Sequence, residues 1–156
     1  MAVTYTAPTD EALGYIADNM RAADVEELCI MGCQDPRKAV FSSAEGSDAC
    51  FVTWVGDTPA AVLGVGSVGM IGGTGAPWLL GTDGLVHCKR QFLTDGRDII
   101  GSWRRRYALL QNAVAVNNHM SVRWLRYVGA RFNPPTKTAF GGQIMSFYIE
   151  GDRRYV

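Results

Sequence analysis

The sequence predicts a one-domain α/β protein, and three observations lead there. First, 156 residues with 47% hydrophobic and 19% charged content suffice for one sizeable core, are cramped for two, and do not describe a disordered chain. Second, segments of strand character alternate with segments of helical periodicity, with no internal repeat and no linker between them, the order of a sheet covered by helices. Third, Leu109 to Phe132, LLQNAVAVNNHMSVRWLRYVGARF, runs from a buried strand straight into a short amphipathic helix and out into another strand.

Taken in order, Val3 to Ala7 has strand character. Thr9 is placed to cap a helix from Asp10 to about Met20, with Leu13, Ile16 and Met20 as its inward stripe. A second short helix is expected from Ala22 to Met31, with Val25, Leu28 and Cys29 inward and Gly32 at its end. The polar stretch Pro36 to Asp48, which holds Ser42, Ser43, Gly46 and Ser47, reads as a loop and as an insertion or interaction segment. Cys50 to Val55 and Ala60 to Val65 flank the turn sequence Gly56-Asp57-Thr58-Pro59 and read as a strand pair.

A glycine-rich stretch, Gly64 to Gly75, precedes another strand, Ala76 to Thr82. Gly64, Gly66 and Gly69 have the dinucleotide-binding spacing, but that motif must open a helix. Here Gly72, Gly73, Gly75 and Pro77 follow, so a flexible turn is expected. Leu85 to Tyr107 reads as helix in two pieces, Leu85 to Leu93 and Arg97 to Tyr107. Thr94-Asp95-Gly96 separates them, because its helix propensity is poor and it offers a new cap.

Asn112 to Val116 mixes small and β-branched apolar residues over strand length, as in a strand covered on both faces. Asn118 follows as a helix N-cap whose side-chain oxygen can accept from the first free amides. Val122, Leu125 and Val128 recur on one face, while Arg123 and Arg126 face elsewhere. Gly129 stands where a left-handed residue ends a helix. Gln143 to Ile149, after Gly141-Gly142, is the final strand.

This strand, Asn-capped helix and glycine stop resemble the closing unit of GNAT-superfamily acetyltransferases, in which a Gly ends the last helix eleven residues after the capping Asn. Asn118 and Gly129 have that separation, and Ser121 takes the small-residue position between them. More specifically, the segment is similar to the internal virion protein A family of short-tailed bacteriophages. That family carries a similar strand, the Asn at the cap, an Arg-aromatic-Leu-basic run matched by Arg123-Trp124-Leu125-Arg126, and Gly-Ala-x-Phe. The close resemblance covers roughly the last third of the chain; the earlier part agrees in element order.

The resemblance implies a single GNAT-like (acyl-CoA N-acyltransferase-like) domain over residues 1–156, a mixed twisted sheet with helices on both faces. In that superfamily the fourth and fifth strands splay, and the pantetheine arm of acetyl-CoA lies in the gap. Here those strands are Ala76 to Thr82 and Asn112 to Val116. If acetyl-CoA binds, the resemblance places it against Leu79, Leu80, Gly81, Thr82, Gly84 and Asn118.

Acetyl transfer has three requirements. A pyrophosphate needs successive backbone amides at a helix start. Active members use Gln or Arg, two spacers, then Gly-x-Gly or Gly-x-Ala. Gly81-Thr82-Asp83-Gly84-Leu85-Val86-His87-Cys88 occupies that place without the motif, and Asp83 adds a negative charge. The departing thiolate needs a proton donor, commonly a Tyr seven residues after the Asn. Leu125 stands there, and Tyr127 lies about 200° further round the helix. The amine needs a base. No Asp or Glu occurs between Asp98 and Glu150, which leaves Glu26, Glu27 or Asp48 from the opposite side of the cleft, or His87 and His119. Of these His119 is the catalytic candidate if the protein is active, since histidine titrates near neutrality.

Lys plus Arg and Asp plus Glu both total 15, so global charge argues for neither nucleic-acid nor membrane-surface binding. No apolar run reaches the roughly 18 residues of a membrane span, and no secretory signal is visible at the start. Cys29, Cys33, Cys50 and Cys88 lack a zinc spacing. They read as free thiols in a reducing compartment, and no metal is expected.

The missing phosphate motif and the missing phenol together favour a non-catalytic role. The resemblance then implies a phage protein of the virion interior and the infected host cytoplasm. It would need no cofactor and would dock portal or internal core and ejection proteins, with self-association compatible. Arg105, Trp124 and Arg126 are the expected partner contacts, Trp124 as an exposed anchor if it lies opposite the Leu125 stripe. The rival expectation is an acetyl-CoA-dependent N-acyltransferase that modifies a host or virion protein.

Overall fold

Alternating strands and helices resolve into one eight-stranded mixed sheet in the order β1-β2-β3-β4-β5-β8-β6, with β7 paired to β8. The computed structural model describes residues 2–69 and 72–152. Its strands are β1 Val3–Thr6, β2 Ala49–Val55, β3 Thr58–Ser67, β4 Thr74–Gly81, β5 Leu109–Ala115, β6 Arg131–Phe132, β7 Thr136–Lys137 and β8 Gln143–Glu150. The helices are α1 Asp10–Asp18, α2 Ala22–Ile30, α3 Pro36–Glu45, α4 Lys89–Arg106 and α5 His119–Tyr127, with a 3₁₀ segment at Asp83–Cys88. Every strand pair is antiparallel except β4 with β5.

Apolar side chains leave the sheet on both faces, so two cores form. On one face Leu13 and Ile16 of α1 and Val40 of α3 pack on Val52, Val62 and Leu80. On the other, Phe92, Ile100 and Trp103 of α4 and Val122 and Leu125 of α5 pack on Leu63, Val65, Leu110 and Phe147. The β4 and β5 strands thus run through the middle of a covered sheet, where an unpaired backbone group needs a partner.

Most expected elements form, and the departures have physical causes. Pro36 to Asp48 is not a loop: Asp35 accepts the Lys38 N–H at 3.2 Å as an N-cap, Pro36 takes the first turn, and Val40 is fully buried. Thr94-Asp95-Gly96 does not divide α4. Thr94 bonds back to the Arg90 carbonyl, and Asp95 accepts from Gln91 at 2.8 Å and from the Tyr5 hydroxyl at 2.6 Å. Gly96 lies flat beneath the Trp124 indole, where a Cβ would stand 2.8 Å from Nε1.

The α2 helix is rotated from its expected stripe. Asp24 and Ile30 are its buried residues and Cys29 is exposed. Gly64 and Gly66 lie within β3, and Gly69, Gly72 and Gly73 follow with positive φ, so no helix opens on that spacing; Met70 and Ile71 lie outside the described residues.

Candidate active site

The two parallel strands pair only at Thr74–Leu109 and Gly75–Leu110. Beyond that point they diverge: Pro77 has no N–H to offer a ladder, and β5 is held on its other edge by β8 along its whole length. At the narrow end a side chain replaces the missing ladder. Asn112 Nδ2 donates to the Pro77 carbonyl at 2.9 Å while its Oδ1 accepts the Ala113 N–H at 2.8 Å.

At the wide end α2 supplies the partners. Asp24 Oδ2 accepts the Gly81 N–H at 2.9 Å, Glu27 Oε1 accepts the Ala115 N–H at 2.6 Å, and the Arg21 N–H donates to the Gly81 carbonyl at 2.8 Å. Strand alternation then directs the N–H and C=O of Leu79, between Pro77 and Gly81, into the open gap.

Arg21, Asp24 and Asn118 form a buried polar knot at the ends of α2, β4 and β5. Arg21 Nη2 donates to Asn118 Oδ1 at 2.7 Å and to Asp24 Oδ1 at 3.2 Å, and Asn118 Nδ2 donates to Asp24 Oδ1 at 3.0 Å. Asn118 therefore stands at the N-cap position of α5 without capping it; its side chain makes no bond to the helix amides. Burial pushes the Asp24 carboxyl above its ordinary value, although Arg21, Gly81 and Asn118 all pull it down.

The gap opens into a cavity of about 230 Å³ that passes through the sheet. Glu27, Leu28, Met31, Ser43 and Trp78 line it on the α2–α3 side, and Ser121, Trp124 and Leu125 on the other. A second cavity of about 140 Å³ lies between α4 and α5, with Lys89 and Arg123 among its walls; Leu79 and Trp124 line both. Burial pushes the Glu27 carboxyl up to about 7, against the pull of the Ala115 N–H. A carboxyl poised near neutrality in a cavity suits a general base.

The expected site residues divide accordingly. Leu79 and Leu80 line the cavity in the gap. In the Gly81–Cys88 segment three amides are bonded internally: Thr82 N–H on the Ala60 carbonyl, Gly84 N–H on Thr82 Oγ1, and Leu85 N–H on the Thr82 carbonyl. They lead into the six-residue 3₁₀ segment Asp83–Cys88. Leu125 is buried, and Tyr127 is exposed beneath the Arg97 guanidinium, 4.3 Å from the ring centroid.

His119 is exposed and lines a separate depression with Arg21 and Thr82, away from Glu27. Of the other carboxylates, Glu26 is exposed and holds Asn117, and Asp48 binds Ser67 and Tyr107 far along the sheet. Trp124 is only 7% exposed and packs against Phe92, so it is no anchor for a partner; Arg105 and Arg126 are exposed. Among the described residues no His, Cys, Asp and Glu cluster could hold a metal, and no helix is long and apolar enough to cross a membrane.

Sequence reasoning missed Arg21, Asp24 and Asn112, and offered Glu27 only as one of three carboxylates. The available signal was spacing: residues 21, 24 and 27 share one helical face. Read alone, a charged stripe looks solvated.

No protein-family model and no curated protein matches the chain. Solved structures do. The aminoglycoside acetyltransferase AAC(6')-Ib, in complex with ribostamycin and coenzyme A, superposes with a TM-score of 0.69 at 12% identity over 96% of this chain and 94% of that one. A GNAT-family acetyltransferase from Streptococcus pneumoniae gives 0.64 at 8% identity over 96% and 99%. Spermidine N-acetyltransferase from Vibrio cholerae, in complex with CoA and spermine, gives 0.63 at 13% identity over 96% and 95%. Identities this low speak for the fold alone. The chain has the GNAT acyl-CoA N-acyltransferase fold, with the gap between its central parallel strands open.

Proposed function

We propose that this protein is an acyl-CoA-dependent N-acyltransferase whose general base is Glu27. The observation that carries the reading is the Glu27 carboxyl itself: held by the Ala115 N–H in the gap between β4 and β5, and raised by burial to about 7. Solved neighbours of the same fold with coenzyme A bound support it.

The residues fit such a donor at its thioester end. Leu79 turns a free N–H and C=O toward the gap, and the two cavities that share Leu79 and Trp124 give an apolar path from the α4–α5 groove to Glu27. At the phosphate end Lys89 and Arg123, which line the α4–α5 cavity, take over from loop amides that are already bonded. Bound acyl-CoA supplies the acyl group as a thioester: the amine nitrogen forms the C–N bond as the C–S bond breaks, leaving an amide and a free thiol. Glu27 takes the proton that the amine sheds. The Leu79 N–H faces the site where negative charge develops on the acyl oxygen. Ser121, one helical turn before Leu125 and lining the same cavity, is the hydroxyl that would hydrogen-bond the departing sulfur and pass it a proton from solvent, regaining its own in the same relay.

Calorimetry with acetyl-CoA tests the donor site; micromolar binding, about −8 kcal/mol, is expected, and a flat titration at millimolar acetyl-CoA retires the reading.

Docking in virion assembly is a second reading. It rests on the resemblance of Leu109 to Phe132 to the phage family and on the exposed Arg105 and Arg126. Portal or internal core proteins would be the partners, and Trp124 takes no part. Reversing charge at Arg105 and Arg126 should then strip the protein from virions without unfolding it; unchanged virion content counts against docking.

A further inference from the structure

We infer that the acceptor is a small primary amine bearing a single positive charge on an apolar, arylalkyl-sized body. The inference rests on the acyltransferase reading and adds the substrate class.

Every wall of the acceptor side bears on this. Glu27 is the one charged side chain lining the 230 Å³ cavity among the described residues. Leu28, Met31, Pro77 and Trp78 make the rest of that mouth apolar, and Ser43 supplies one hydroxyl. Trp78 spends its indole N–H on Ser47 at 2.7 Å, so it presents ring surface without a free donor. Outside the cavity the apolar surface continues: Met31 is 39% exposed, and the 64% exposed Phe140 ring covers Gly32 beside it.

The remaining carboxylates nearby are committed elsewhere. Asp24 is locked to Arg21, Gly81 and Asn118, and Glu26 faces solvent with Asn117. A polyamine or an aminoglycoside would bring several ammonium groups into this mouth with one carboxylate to meet them. Each further cation would lose water without gaining a partner. An amine with one charge and an apolar body leaves nothing unpaired: its nitrogen meets Glu27, and its body covers Leu28, Met31 and Trp78.

The test is free-thiol release from acetyl-CoA by the full chain, with 2-phenylethylamine, spermidine, kanamycin and a short alanine-initiated peptide as acceptors. Acetyl-CoA binding is measured in parallel by calorimetry. The expected result is a kcat/KM for 2-phenylethylamine at least tenfold above the other three. Met31→Glu, which sets a second carboxylate at the exposed rim, should narrow that preference for 2-phenylethylamine over spermidine by about tenfold. Ser43→Asp repeats the test from α3 if the first variant does not fold. Acetyl-CoA that binds but is turned over better with spermidine, kanamycin or the peptide, or with none of the four, overturns the substrate class and leaves the donor site standing. Absence of acetyl-CoA binding overturns the acyltransferase reading and this inference with it.

Discussion

Glu27 Oε1 accepts the Ala115 N–H at 2.6 Å, so a helix between the first two strands reaches into the central gap and bonds a strand more than eighty residues away. That bond does two things. It satisfies an N–H that β4, having diverged, cannot reach, and it fixes a carboxyl in a cavity where burial favours the protonated form. The same atoms thereby serve the fold and the proposed chemistry, and the two roles depend on pH in opposite ways.

Glu27 should link stability and activity to pH with opposite sign. Its folded value of about 7 lies above the reference 4.5, so the folded state holds the proton more tightly. This contribution is complete below the unfolded value and is lost as pH rises through 7. Glu27→Gln, which still accepts from Ala115, should match wild type only below about pH 4 and exceed it at pH 8 by roughly 2–3 kcal/mol in urea unfolding. Activity should run the other way: kcat/KM climbs through about pH 7 in wild type. The Gln variant should lose about 10²–10⁴ in rate with acetyl-CoA binding unchanged. An acid limb that survives in Glu27→Gln would assign the base elsewhere.

Arg21 and Asp24 should be strongly coupled. Both are buried, and their hydrogen bonds converge with those of Asn118 and Gly81. Arg21→Met strands a buried carboxyl and should cost about 3–5 kcal/mol. Adding Asp24→Asn removes the uncompensated charge and should recover part of that loss. A double-mutant cycle by urea unfolding checks it, and a coupling below about 0.5 kcal/mol would show that the two act independently.

Much of the fold was legible because local signals and packing agree. Thr9 caps α1 through the Ala12 N–H, Gly129 stops α5 with φ +100°, and the Gly56 turn joins β2 to β3. The α3 helix was hidden by its serines, although Asp35-Pro36 is a helix-start signal. The unbroken α4 could not be read at Thr94-Asp95-Gly96, because what holds it there is tertiary: Tyr5 on Asp95 and Trp124 on Gly96. The site was less legible. Asn118 stands at the N-cap position of α5 as expected, but its side chain does not cap the helix; its partners Arg21 and Asp24 lie over ninety residues away, and no local pattern reports such a distance.

Two glycines of α4 should respond oppositely to alanine. Gly101 has open space where a Cβ would go, so Gly101→Ala should gain up to about 1 kcal/mol from helix propensity. Gly96→Ala makes the same propensity change, but its Cβ would meet the Trp124 indole at 2.8–3.1 Å. Because Trp124 is buried between Phe92 and the two cavities, moving it should cost about 1–3 kcal/mol and reverse the sign. Thermal unfolding of the pair decides it; equal gains in both would mean that the indole has room to move.

Asn112 is the remaining test of how the gap is held at its narrow end. Its amide stands in for a ladder, donating to Pro77 on one strand and accepting from Ala113 on the other. Asn112→Leu keeps the size and removes both bonds. Each group left without a partner should cost about 1–3 kcal/mol unless water from the cavity reaches it. Loss of the bridge should also raise hydrogen exchange at Ala113 while leaving the β8 side of the strand protected, since the β5–β8 pairing is untouched. Ala113 exchange as slow as in wild type would show that the strands stay apart at fixed spacing without the side chain, and that the divergence is set by Pro77 and β8 alone.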